Sequence, residues 1–300
     1  MSTATVQTVE RTSEPSHLRV GERLRVLRAH REILANLVRK ELKVKYAASV
    51  LGAVWSLLNP LVYLAVFSFV TRVLGGNVRD YPIYLLSGLL AWNLFSASVS
   101  AGSRSVLDNA NLVKKVAFAR EILPLSSIGV ALVDYVLQTS VLLLFVLVTG
   151  HGLHWPELAL LPLAFAALLA FTTMLTMLLA AMNVRYRDVG HLLNIALLVW
   201  FWITPIVYAS GLVQQQLDAA VDEQLSLELL YFANPITPVV EGMHRALYAF
   251  VGPADAPVLF DVSLGWLAVV LAAVLVLSLV LLRATWGYFF SRSGDFAEEL

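Results

Sequence analysis

The chain has 300 residues, 59% hydrophobic and only 14% charged, with a mean hydropathy of +0.75. Soluble domains carry roughly 45–50% apolar and about 25% charged residues, so a water-covered globule is excluded. The composition predicts an all-α polytopic membrane protein, with room for six spans of about 20 residues. The formal net charge is +0, yet ten of the 21 Lys and Arg lie within residues 1–50; the absence of cysteine excludes disulfide and thiolate chemistry.

The first sixteen residues are polar and Ser/Thr-rich, without the apolar core of a cleavable signal peptide. Residues 1–17 are therefore expected to form a disordered tail. An amphipathic helix is predicted over 18–48, because Arg19, Arg23, Arg25, Arg28, Arg31, Arg39, Lys40, Lys43 and Lys45 accompany an apolar stripe of Leu27, Leu34, Leu37 and Val38. That pattern suits a helix lying in the headgroup layer against anionic lipid; a plain solvated helix is the alternative.

The remainder, 49–285, reads as six spans. The first, about Leu51–Leu74, holds Asn59-Pro60 and should be kinked there. The second, about Ile83–Ser103, is rich in serine and carries Asn93, which suits close helix packing or a face toward water. Asp108–Leu123 (DNANLVKKVAFAREIL) then predicts one short charged helix, with Lys114, Lys115 and Arg120 beside Leu112, Val113, Val116 and Ala117. Pro124 is expected to end or bend it.

The third span is predicted over Leu125–Thr149 and the fourth over Leu158–Met182. The loop Asn183–Val189 follows, then a fifth span over Leu192–Ala209. Within 211–257 the apolar pieces 225–232 and 236–251 are too short or too broken to cross and are expected to be re-entrant or interfacial helices. The last span, Leu264–Leu282, is uniformly aliphatic and should face lipid. The tail 286–300 opens with Trp286, Tyr288, Phe289 and Phe290, an expected interfacial anchor. With the N-terminus inside, eighteen of the 21 cations fall on the cytoplasmic side, leaving Arg72, Arg79 and Arg245 outside. Both termini are thus expected in the cytoplasm.

No phosphate-binding loop, zinc-protease motif or nucleophile elbow is present. His151 and His154 form a near pair without a third ligand. Asp134 is the sharpest charge within a span. It either relays protons or binds a cation, or it is held by Gln138 and serines of the second span as helix–helix glue, which is the favoured reading. Trp55, Tyr63, Phe67, Phe69, Trp92, Phe95, Trp200, Phe201 and Trp202 leave two readings open, a sugar-stacking conduit or an ordinary core with an interfacial belt.

Four stretches resemble a known family: RKELKVKYAASVLGAVWSLLNP, DNANLVKKVAFAREILPLS, NVRYRDVGHLLN and FANPITPVVEGMHRALY. Their order and spacing over about residues 30–285 resemble ABC-transporter permeases of the polysaccharide-export type, membrane subunits that export lipid-linked O-antigen, teichoic acid or galactan. The resemblance implies that 108–123 is a coupling helix whose Asn111, Leu112, Lys114, Lys115, Phe118, Arg120 and Glu121 dock on a separate ATPase. Arg185, Tyr186, Arg187 and Asp188 would make a second contact. Arg28, Arg31, Arg39, Lys40 and Lys43 would lie on a gate helix at the substrate entrance, and Trp55, Tyr63, Phe67, Trp92, Phe95 and Trp202 would line the channel. Asn234, Pro235 and Glu241 would form the outer gate.

The resemblance further implies two copies of this chain with two ATPases in a bacterial inner membrane. ATP and Mg would be bound by the partner, and this subunit would hold no cofactor and perform no catalysis. Lipid-linked polysaccharide and membrane lipid would be its other partners, and nucleic acid would not. A drug or small-lipid exporter of the same superfamily is one alternative; a proton-coupled carrier built on Asp134 is another, of a different class. A membrane glycosyltransferase is disfavoured by the lack of paired acidic or histidine sites.

Overall fold

The computed structural model describes residues 25, 27–47, 49, 52, 54–73, 78–116, 118–219, 231–252 and 257–300. The tail expected at 1–17, the start of the amphipathic helix, and most of the apolar piece 225–232 lie outside them. All regular structure among the described residues is helical. Five helices are long and apolar enough to cross a membrane, which makes this an integral membrane protein.

The helices in chain order are α1 (Arg31–Tyr46), α2 (Val54–Val73), α3 (Tyr81–Asp108), α4 (Ala110–Lys115), α5 (Ile122–Thr149) and α6 (Trp155–Leu158). They continue as α7 (Leu160–Arg185), α8 (Val189–Ile203), α9 (Ser210–Ala219), α10 (Ile236–Leu247), α11 (Leu264–Ser293) and α12 (Phe296–Glu299). The organising element is α3, the most buried of the long helices, which packs against α5, α7, α8 and α10. Small residues allow these approaches. A Cβ at Gly102 on α3 would overlap Thr176 Cγ2 on α7, and one at Gly129 on α5 would sit 2.7 Å from Val38 Cγ2 on α1.

Several boundaries differ from expectation. The predicted fifth span is only the 15-residue α8, about 22 Å at 1.5 Å per residue, against a hydrocarbon layer of about 30 Å. Its helix stops where Thr204 turns extended (φ −87°, ψ 136°), because the residue before Pro205 is pushed out of the α region. Among the described residues, five helices are long and apolar enough to cross, and the one in the place of the expected fifth span is short. The last span runs on through the supposed tail as the single 30-residue α11, and Phe289 packs inward against Phe296 instead of anchoring at an interface.

Asp108–Leu123 is not one helix. The six-residue α4 is followed by extended Val116 (φ −124°, ψ 131°), and α5 begins at Ile122. Val113, Ala119, Ile122 and Leu123 are all buried in one cluster, and on a straight helix these positions would spread over about half of its circumference. The break lets all four face inward. Pro124, expected as a stop, instead sits in the first turn of α5, where its missing N–H has no intrahelical partner to lose. Between α8 and α11, α10 is buried along all twelve residues, a helix wedged inside the bundle rather than one lying at an interface.

Candidate functional site

The basic end of the molecule is built on one apolar cluster that joins Leu37 of α1, Val113 of α4, Ile122 and Leu123 of α5, Val184 of α7, and Phe289 and Phe296 near the C-terminus. Around it the predicted contact residues Asn111, Lys114 and Lys115 are exposed, while Leu112 and Phe118 are partly covered. Glu121 departs from expectation: it is buried and so does not belong to the outer surface. Arg120 is half-buried, with Nη1 lacking a partner; burial holds its pKa below the ordinary arginine value.

Arg185, the last residue of α7, and Tyr186, Arg187 and Asp188 in the turn after it are all exposed. The turn is fixed by a residue the motif reading passed over. Buried Asn183 donates from Nδ2 to Ser103 O on α3 (2.9 Å) and accepts from Gly190 N (3.2 Å). A polar amide at a helix end beside Gly190 was the available signal. The cations Arg28, Arg31, Arg39, Lys40 and Lys43 are likewise exposed along the α1 region. On the covered side of α1, Ser126 Oγ donates to Glu41 Oε1 (2.9 Å). Burial raises the Glu41 pKa, an effect opposed by the Ser126 bond and by Lys40.

Asp134 is saturated, but by other partners than those expected. Tyr46 OH and Ser56 Oγ each donate to Oδ1 (2.8 Å), and Lys45 Nζ pairs with Oδ2 (2.5 Å). Gln138, one turn on, instead accepts from Asn93 Nδ2 (2.9 Å) and donates to Ser56 O (3.3 Å). The carboxylate thus ties α1 and α2 to α5, and the serines of the second span take no part. Tyr46 and Ser56 are legible only in retrospect, since both are remote in sequence from Asp134. Beside this cluster lies a cleft of about 440 Å³ lined by polar residues of α2, α3 and α5, with Trp55 among them.

The expected aromatic lining divides. Phe95 is fully buried and Trp92 nearly so; they pack on Phe171, Trp200 and Phe201 inside a single chain, so neither lines a passage in this conformation. Tyr63 and Phe67 stack on each other and contact Phe201 and Trp202. Trp55 (53% exposed) and Trp202 (54%) present free surface.

At the far end, Asn234 accepts from Trp200 Nε1 (2.7 Å) and from Ile236 N (3.1 Å), and donates to Thr204 Oγ1 (3.2 Å). It pins the start of α10, with Pro235 as N-cap, to the end of α8. Glu241 is buried in α10, where Arg245 Nη2 donates to Phe260 O and Val262 O. His151 does not face an open metal site. Its Nδ1 lies 2.9 Å from Asp80 Oδ2 and its Nε2 2.9 Å from Tyr248 O, and among the described residues no cluster suits a metal.

A helical membrane body with most of its exposed cations gathered at one end, and only Arg72 and Arg79 exposed toward the other among the described residues, has the character of a transport subunit. Residues 33–248 match the family described as ABC2_membrane, ABC-2 type transporter, and the chain belongs to it. The O-antigen export system permease protein RfbA of Myxococcus xanthus is 32% identical over 278 residues, covering 92% of this chain and 98% of that protein. A protein of the same name from Klebsiella pneumoniae is 28% identical over 186 residues, covering 62% of this chain and 72% of its own length.

Proposed function

We propose that this chain is the membrane subunit of an ATP-driven exporter that moves lipid-linked polysaccharide from the cytoplasmic to the outer face of a bacterial inner membrane. Two copies form the conduit, and two separate ATPase subunits, which bind ATP and Mg, supply the force. The observation that carries this reading is the common footing of the two exposed basic segments. Lys114 and Lys115 on one side, and Arg185 to Asp188 on the other, stand on helices joined through the same buried cluster. Force applied at either segment is thereby delivered to α3, α5, α7 and α11 together.

With the basic end in the cytoplasm, the exposed cations of the α1 region attract the anionic reducing end of the substrate at the headgroup layer. The names of the relatives support O-antigen or a similar glycan as cargo. The test is K114E/K115E in a complex reconstituted with the candidate ATPase. Charge reversal should leave ATP hydrolysis running while delivery of glycan into vesicles falls at least tenfold. Full delivery by that variant overturns the docking assignment.

A further inference from the structure

The open face of α3 is polar although the helix is otherwise the best buried in the molecule. Asn93, Ser96, Ala97, Ser100 and Arg104 follow one another at helical spacing, and each is partly or fully uncovered. Buried Ser98 has no partner, while three other serines of α3 return their hydroxyls to their own helix, Ser87 to Tyr84 O, Ser103 to Ser100 O and Ser105 to Gly102 O. Ser96 and Ser100 do not, and among the described residues neither has a side-chain hydrogen bond. Asn59 on α2 faces the same cleft in the same condition. Lipid tails offer such groups nothing, and an unpaired amide or hydroxyl in hydrocarbon costs on the order of a few kcal/mol.

We propose that the cleft bounded by Asn59, Asn93, Ser96, Ser100, Gln138 and Trp55 is a glycan-binding station, a site that holds neutral sugar hydroxyls while the chain passes. This deepens the export reading and rests on it. The cleft interior is uncharged in effect, because the two charged groups at its edge, Lys45 and Asp134, neutralise each other. Amides and hydroxyls supply both donors and acceptors for sugar hydroxyls. The half-exposed indole of Trp55 offers the electron-rich ring face on which polarised C–H groups settle. Ser100 lies about 12 Å, at 1.5 Å per residue, from the α3 terminus at the basic end, so the cleft extends from that side toward mid-membrane. The amides and hydroxyls lining this hollow of about 440 Å³ suit a hydrophilic chain.

The chain contains no cysteine, so S96C and S100C each place a unique thiol in the cleft. V136C, on the opposite side of α5, is the reference. In proteoliposomes containing the ATPase partner, a water-borne thiosulfonate should label S96C and S100C at least tenfold faster than V136C. Adding polyprenyl-diphosphate-linked O-antigen chains should slow that labelling several-fold. Disulfide formation between copies at S96C, access only from a lipid-dissolved reagent, or labelling indifferent to glycan would each overturn the station. N93L/S100L should in addition lose glycan delivery while ATP hydrolysis persists; undiminished delivery would count against it. The unmodified protein in parallel vesicles separates the two readings. If it delivers no glycan with ATP and partner present, export itself is wrong and the cargo assignment falls with it.

Discussion

Asp134 shows how a charge within a span becomes structural. Two hydroxyl donors and an ammonium occupy its oxygens, so its ionised form is satisfied without a transported ion. D134N should retain glycan delivery in the reconstituted system, since an amide oxygen still accepts from Tyr46 and Ser56. D134A should lower thermal stability by about 1–3 kcal/mol, the penalty for stranding buried donors. Delivery by the unmodified protein that collapses with the proton gradient would instead favour a carrier role. Glu41 makes a second prediction at this scale. Burial raises its pKa, so the protonated form is favoured in the docked helix relative to the undocked one. Docking of α1 is then fullest below the free carboxyl's pKa and weakens as pH rises through the raised docked value. E41Q keeps an acceptor for Ser126 and removes that dependence. Thermal unfolding of the variant should lose the gain that the native protein shows as pH falls toward the free carboxyl's value.

Among elements, the α3–α7 contact depends on a missing side chain. A Cβ at Gly102 meets Thr176 Cγ2, so G102A should cost about 1–3 kcal/mol through overpacking, and T176S, which removes that methyl, should restore most of it. Failure of the rescue would place the constraint elsewhere. The segment between α3 and α5 carries a different lesson. Its charges and its apolar spacing were legible, and so was its place between two apolar runs. The break after Lys115 was not, because the cluster that draws Val113 and Ala119 inward is made by Phe289 and Phe296, nearly 180 residues away. Pro124 misled for the same reason, since a proline reads alike at a helix stop and in a first turn. At α8 the Thr204-Pro205 signal was visible but outweighed by the apolar run around it.

For the whole molecule, composition and cation distribution led to a membrane bundle with one basic end, and the family match agrees with the resemblance in the four motifs. What the sequence concealed was which faces close. Trp92 and Phe95 were as eligible for a conduit as Trp55 until packing put them inside, and the polar face of α3 became distinct only once its neighbours covered everything else. The central claim is that this chain transmits force it does not generate. The direct measurement is appearance of labelled lipid-linked glycan in the vesicle lumen, with and without the ATPase subunit and ATP. Accumulation only when both are present is the predicted result; accumulation driven by an ion gradient without the ATPase would contradict it.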